Sequence, residues 1–138
     1  MTDTLVDANV LIDVFGADQE WRDWSAGQLL AAHRRGRLVI NQIVYAEVAA
    51  SFPTQRRLDA ALGTRFYSRE SLPWEAGFNA ARAFLAYRRA GGLKRSPLPD
   101  FYIGAHAEVE GYVLLTRDMA RYRQVFPTLK ILSPETHP

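Results

Sequence analysis

Short β-prone apolar runs alternate along this chain with stretches whose apolar residues recur at helical spacing, and that alternation restricts the fold more than any other feature. Thr4, Leu5 and Val6 form the first run, "RLVIN" the second, "YVLLT" the third and "KILS" the last. Each is separated from the next by helical sequence. Parallel strands need crossover connections, usually helical, so the order predicts an α/β domain of three layers, a central mostly parallel sheet flanked by helices. The 138 residues read as one domain, residues 1–138, long enough to bury a core without metal or disulfide staples.

The connecting segments carry their own stop and start signals. "ANVLIDVF" continues directly from the first strand as a helix. From Asp18 to about Gly36 the spacing predicts an amphipathic helix with Trp21, Trp24 and Leu30 or Ala31 on one side. Asn41 is placed to cap "QIVYAEVAASF", which must stop before Pro53, and Thr54 to cap "QRRLDAAL", which Gly63 closes. Pro73 opens a long helix from Trp74 to about Ala90, with Phe78, Ala81, Phe84 and Leu85 apolar, and the glycines at 91 and 92 end it. The basic loop "LKRSPLP" then delivers the chain to Asp100, expected as the N-cap of "FYIGAHAEVE". Gly111 ends that helix, and "RDMARYRQVF" reads as a turn and short helix.

Composition narrows the function classes. With no cysteine, disulfides and thiolate metal sites are excluded, which suits the cytosol. No apolar run reaches the length of a membrane span, and the N-terminus lacks a signal-peptide pattern. The net charge of +2 hides an asymmetry: six acids face Arg22 alone between Met1 and Asp23, whereas Arg82, Arg88, Arg89, Lys94 and Arg95 run without an acid. Together with fifteen arginines against two lysines, this points to a polyanionic partner.

In open parallel sheets, ligand sites form beyond the carboxyl ends of the strands. Asp7 follows the first strand, Glu47 lies in the helix after the second, Asp100 begins the helix before the third, and Asp118 follows the third. Their convergence on one rim would set four carboxylates against each other, and a divalent cation relieves that repulsion. Oxygen donors alone favour magnesium or manganese, which bind phosphate oxygens and activate water for in-line attack on a phosphodiester. Taken singly, Asp100 reads as a cap, Asp118 as a turn residue and Glu47 as a solvated helix acid, whereas Asp7 sits among apolar neighbours. Asn9 and Thr116 are placed to support the site by hydrogen bonding a carboxylate or a water held by the metal. Asp3, Asp13, Asp18, Asp23 and Asp59 read as surface acids or caps, and His33, His106 and His137 show no metal-ligand spacing.

The motifs "LVDANVLID", "IVYAEV", "GGLKRSPLPDFYIGAHA", "VLLTRD" and "YRQVFPTLKIL", taken in this order, make nearly the whole chain resemble the PIN-domain ribonucleases, and within them the VapC-type toxins. The resemblance implies a metal-dependent endoribonuclease in which Asp7, Glu47, Asp100 and Asp118 coordinate magnesium or manganese, with Thr116 as the polar residue beside the last acid. It further implies a structured RNA substrate, a homodimer, and a cognate VapB-type antitoxin whose C-terminal segment lies across the active-site groove. Asn41 and Asn9 stand where relatives often have serine or another small polar residue. Arg88, Arg89, Lys94, Arg95 and Arg117 are the candidates for steering RNA toward an acidic centre. Two rivals remain: an aspartate-nucleophile phosphatase, disfavoured because Asn9 stands where its second acid would be, and a non-catalytic RNA-binding domain of the same fold.

Overall fold

The computed structural model describes residues 1–16, 20–91 and 98–138. Its elements run β1 (Thr4–Val6), α1 (Ala8–Phe15), α2 (Arg22–Arg35), β2 (Leu38–Ile40), α3 (Gln42–Ala49) and α4 (Gln55–Ala61). They continue as β3 (Tyr67–Arg69), α5 (Trp74–Arg89), α6 (Leu98–Glu110), β4 (Val113–Leu115), α7 (Met119–Arg123) and β5 (Ile131–Leu132). The sheet has the order β3-β2-β1-β4-β5, and every neighbouring pair is parallel. The first three strands are laid outward from β1 to one side and the last two to the other, so the order reverses between β1 and β4. A crevice opens at such a reversal, at the carboxyl ends of the two strands.

The central strands are apolar on both faces, as a covered parallel sheet requires. Leu5, Val6, Leu38, Val39, Leu114 and Leu115 are fully buried, and α6 packs on β1 and β4 with Phe101, Ile103 and Ala105 equally sealed. Gly104 sits where a side chain would run into the Phe126 ring, so the absence of a Cβ lets this helix approach the segment after α7. Gly111, at φ 74°, adopts the left-handed conformation that ends α6 and turns the chain into β4.

Several expectations need correction. The strand β3 is absent from the sequence reading: "YSR" is short and polar, and it holds its place through the register Leu38↔Tyr67 and Ile40↔Arg69 at the sheet edge. The buried stripe of α2 is Ser25, Leu29 and Ala32, while Leu30 is 47% exposed. Small residues there let α1 and α2 pack closely. On α5 the buried stripe is Ala76, Ala80 and Ala83, leaving Trp74, Phe78 and Leu85 exposed and Phe84 against Phe101. Asp100 is the third residue of α6 rather than its cap. Asp13 is buried, not a surface acid. The expected start of α2 at Asp18 and the loop "LKRSP" with Lys94 and Arg95 lie outside the described residues.

Candidate active site

Asp7 leaves β1 as the chain turns into α1, and its carboxylate has two jobs. Oδ1 accepts the Ala8 backbone N–H at 2.8 Å, capping the helix. Oδ2 accepts the Thr116 hydroxyl at 2.8 Å, the Tyr122 hydroxyl at 2.9 Å and, more weakly, the Asn9 amide at 3.4 Å. The side chain is 2% exposed. Burial raises its pKa above the ordinary value, and the Thr116, Tyr122 and Ala8 donors oppose that rise. Burial also holds the Tyr122 phenol well above its usual pKa, so it remains a donor.

Glu47 reaches the same point from α3, which Asn41 starts by accepting the Val44 N–H at 3.0 Å. It stands at the accessible mouth of the crevice. Partial desolvation, then the charges of Asp7 and Asp100, raise its pKa to about 7. Asp100, in the first turn of α6, is 9% exposed, and burial raises its pKa against the pull of Arg121, with Asp7 and Asp118 adding to the rise. One carboxylate oxygen from each of Asp7, Glu47 and Asp100 falls within 4.8 Å of the others. That spacing is slightly wider than the span of roughly 4 Å across an ion with bonds of about 2.1 Å, so small side-chain movements bring three oxygens onto one ion. An all-oxygen donor set that is anionic and partly desolvated fits magnesium or manganese.

The fourth acid is placed differently. Asp118 lies outside that trio: its Oδ1 caps α7 by accepting the Arg121 N–H at 3.2 Å, and its Oδ2 pairs with Arg121 Nη2 at 3.1 Å. The other guanidinium nitrogen, Nη1, lies 3.3 Å from Asp100 Oδ2. Thr116, fully buried, accepts the Asp118 N–H at 3.0 Å while donating to Asp7. Asn9 joins the two sides, its amide 3.2 Å from Thr116 Oγ1 and its carbonyl oxygen accepting the Arg117 N–H at 3.2 Å.

The expected RNA-steering cations separate here. Arg117 is tied to the buried Asp13 at 2.6 Å and lies 5.3 Å over the Trp21 ring, and Ser25 donates to the same carboxylate at 2.7 Å. It therefore braces α1, α2 and the segment after β4. Arg88 and Arg89 are exposed in the last turn of α5, Arg88 over Phe84. His106 is buried, its Nδ1 3.0 Å from the Asn41 amide. Arg121 and Tyr122 escaped the sequence reading. Their only signal was a spacing of three and four residues from Asp118, which on a helix turns both back toward its start.

This geometry has known counterparts. The sequence matches the family model of the PIN domain over residues 4–125. Nothing among curated proteins matches it. Among solved structures, the fold is similar to that of VapBC2 from Rickettsia felis bound to a promoter DNA fragment, with a TM-score of 0.74 at 14% identity over 96% of this chain and 98% of that one. It is likewise similar to DNA-bound VapBC from Salmonella typhimurium, at 0.72 and 17% over 96% and 98%. A toxin-antitoxin complex from Klebsiella pneumoniae gives 0.67 at 24% over 95% and 97%. A family match over almost the whole chain, with the acids gathered where β1 and β4 end, means that this chain belongs to the PIN domain family.

Proposed function

We propose that this protein is a magnesium- or manganese-dependent endoribonuclease, the toxin of a type II toxin-antitoxin pair acting in the cytoplasm. The observation that carries the reading is the convergence of Asp7, Glu47 and Asp100 at the point where the strand order reverses. Asp7, Glu47 and Asp100 would hold the ion, and Asp118 completes the acidic rim through Arg121. When bound, the ion supplies Lewis acidity and a water nucleophile at neutral pH. The chain's own residues supply the rest. Thr116, Tyr122 and Asn9 fix the Asp7 carboxylate, so that a ligand is preorganised before the ion arrives. Glu47, open to solvent and with a pKa of about 7, is the acid whose proton must leave as the ion binds.

RNA is the substrate in this reading, and Arg88 and Arg89, with Lys94 and Arg95 after them in the sequence, are the cations that would draw it in. A cognate antitoxin and a second copy of the chain are the proposed protein partners. The exposed side chains of Trp74, Phe78 and Leu85 on α5 support a protein contact of some kind. The test is cleavage of total cellular RNA by wild type and by Glu47→Gln, each with magnesium, manganese and excess chelator. Discrete fragments from wild type alone, lost on chelation, support the reading. Equal fragments from both proteins remove the site from the chemistry, and retained RNA binding without any cleavage replaces the nuclease by a binding module.

A further inference from the structure

The geometry points to a site built for a single divalent ion, with the guanidinium of Arg121 standing where a second ion would otherwise sit. This inference rests on the metal-dependent reading above. A second ion would need acids beside the first group, and those available to hold it are Asp118 together with Asp100. Those two carboxylates are already bridged: Arg121 Nη1 is 3.3 Å from Asp100 Oδ2 and Nη2 is 3.1 Å from Asp118 Oδ2. An ion bound to the same oxygens at about 2.1 Å would overlap the guanidinium and be repelled by its charge. Arginine keeps that charge at any working pH.

Asp118 is committed in a second way, since its other oxygen caps α7. Asp118 also stands outside the group formed by Asp7, Glu47 and Asp100, whose oxygens come within reach of one ion. The Arg121 side chain is 42% exposed, so its charge is open to solvent and available to offset that of a phosphodiester. Arg121 is thus a fixed second cation, and Asp118 is its anchor rather than a metal ligand.

The test is the number of Mn²⁺ ions bound per chain, measured without RNA by titrating metal-stripped protein and following the free Mn²⁺ signal. Wild type is expected to saturate at one ion, and Arg121→Lys, which keeps the charge, also at one. Arg121→Gln is expected to gain a second, weaker site that Arg121→Gln/Asp118→Asn loses. Asp118→Asn alone, which retains a capping oxygen, is expected to lower affinity less than tenfold, against more than a hundredfold for Asp100→Asn. Two ions in wild type, or one ion in Arg121→Gln, would overturn the inference while leaving the nuclease reading intact. So would a loss on Asp118→Asn as large as that on Asp100→Asn. No Mn²⁺ bound by wild type would overturn both.

Discussion

Replacing Glu47 by glutamine should make the metal-free protein more stable, although it removes a residue from the candidate site. The carboxyl titrates at about 7 in the folded chain against an ordinary value of 4.5. At about 1.4 kcal/mol for each tenfold change in proton affinity, that difference is worth about 3 kcal/mol for a group sealed from water. Glu47 stands at the mouth, where solvent screens it, and the effect falls to about 1 kcal/mol. The sign follows from linkage. Because folding raises the pKa of an acid, the folded state is penalised wherever that acid is ionised in both states, which means above pH 7. Below pH 4.5 the carboxyl is protonated in both states and the penalty is gone. In excess chelator at pH 8, Glu47→Gln should therefore melt about 4 °C higher than wild type, with the gap closing by pH 4.5. Saturating Mn²⁺ should reverse the order, since wild type binds the ion more tightly and gains more from it. An equal gap at both pH values, or a less stable variant at pH 8, would refute the electrostatic account.

Three further substitutions probe the frame around the site. Tyr122→Phe removes a buried donor from the Asp7 carboxylate and should cost about 1.5–3 kcal/mol at pH 7 by urea unfolding, with weaker Mn²⁺ binding; an unchanged midpoint would count against the clamp. Asp13→Ala strips Arg117 of its partner and Ser25 of its acceptor. Because the Arg117 side chain keeps 28% exposure, the expected loss is about 2–3 kcal/mol, below the range for a fully buried pair, and thermal melting would show it. Gly104→Ala drives a methyl group into the Phe126 ring and should destabilise by about 1–3 kcal/mol, whereas a neutral result would mean that the segment after α7 yields freely.

Elements whose sequence period matched their burial were readable in advance. The strands β2 and β4 are apolar at every position and β1 at all but Thr4, Asn41 and Thr54 cap α3 and α4 as expected, and Asp7 stood out because an acid follows directly on a buried strand. What stayed hidden depends on contacts distant in sequence. β3 is defined by its partner rather than by its own residues, as edge strands of three residues are. The buried faces of α2 and α5 carry Ser25, Ala32, Ala76, Ala80 and Ala83, and reading bulk as burial puts the larger side chains inside. Close helix packing selects small residues instead. Arg121 and Tyr122 acquire their roles only from where α7 docks, 114 and 115 positions after Asp7.

That docking makes Asp7 a structural tie as well as a candidate ligand. Its carboxylate links the start of α1 to the end of β4 and to α7. Asp7→Ala therefore leaves the Thr116 and Tyr122 hydroxyls buried without their acceptor, at about 1–3 kcal/mol for each. Loss of cleavage in that variant would mix chemistry with folding. Glu47 is free of this ambiguity, because among the described residues no hydrogen bond is made to its carboxylate, and burial with the charges of Asp7 and Asp100 outweighs the pull of Arg121 and raises its energy. If the acids act on a bound ion, Glu47→Gln should lose cleavage while gaining stability in chelator. A variant that lost both together would place Glu47 in the frame and not in the chemistry.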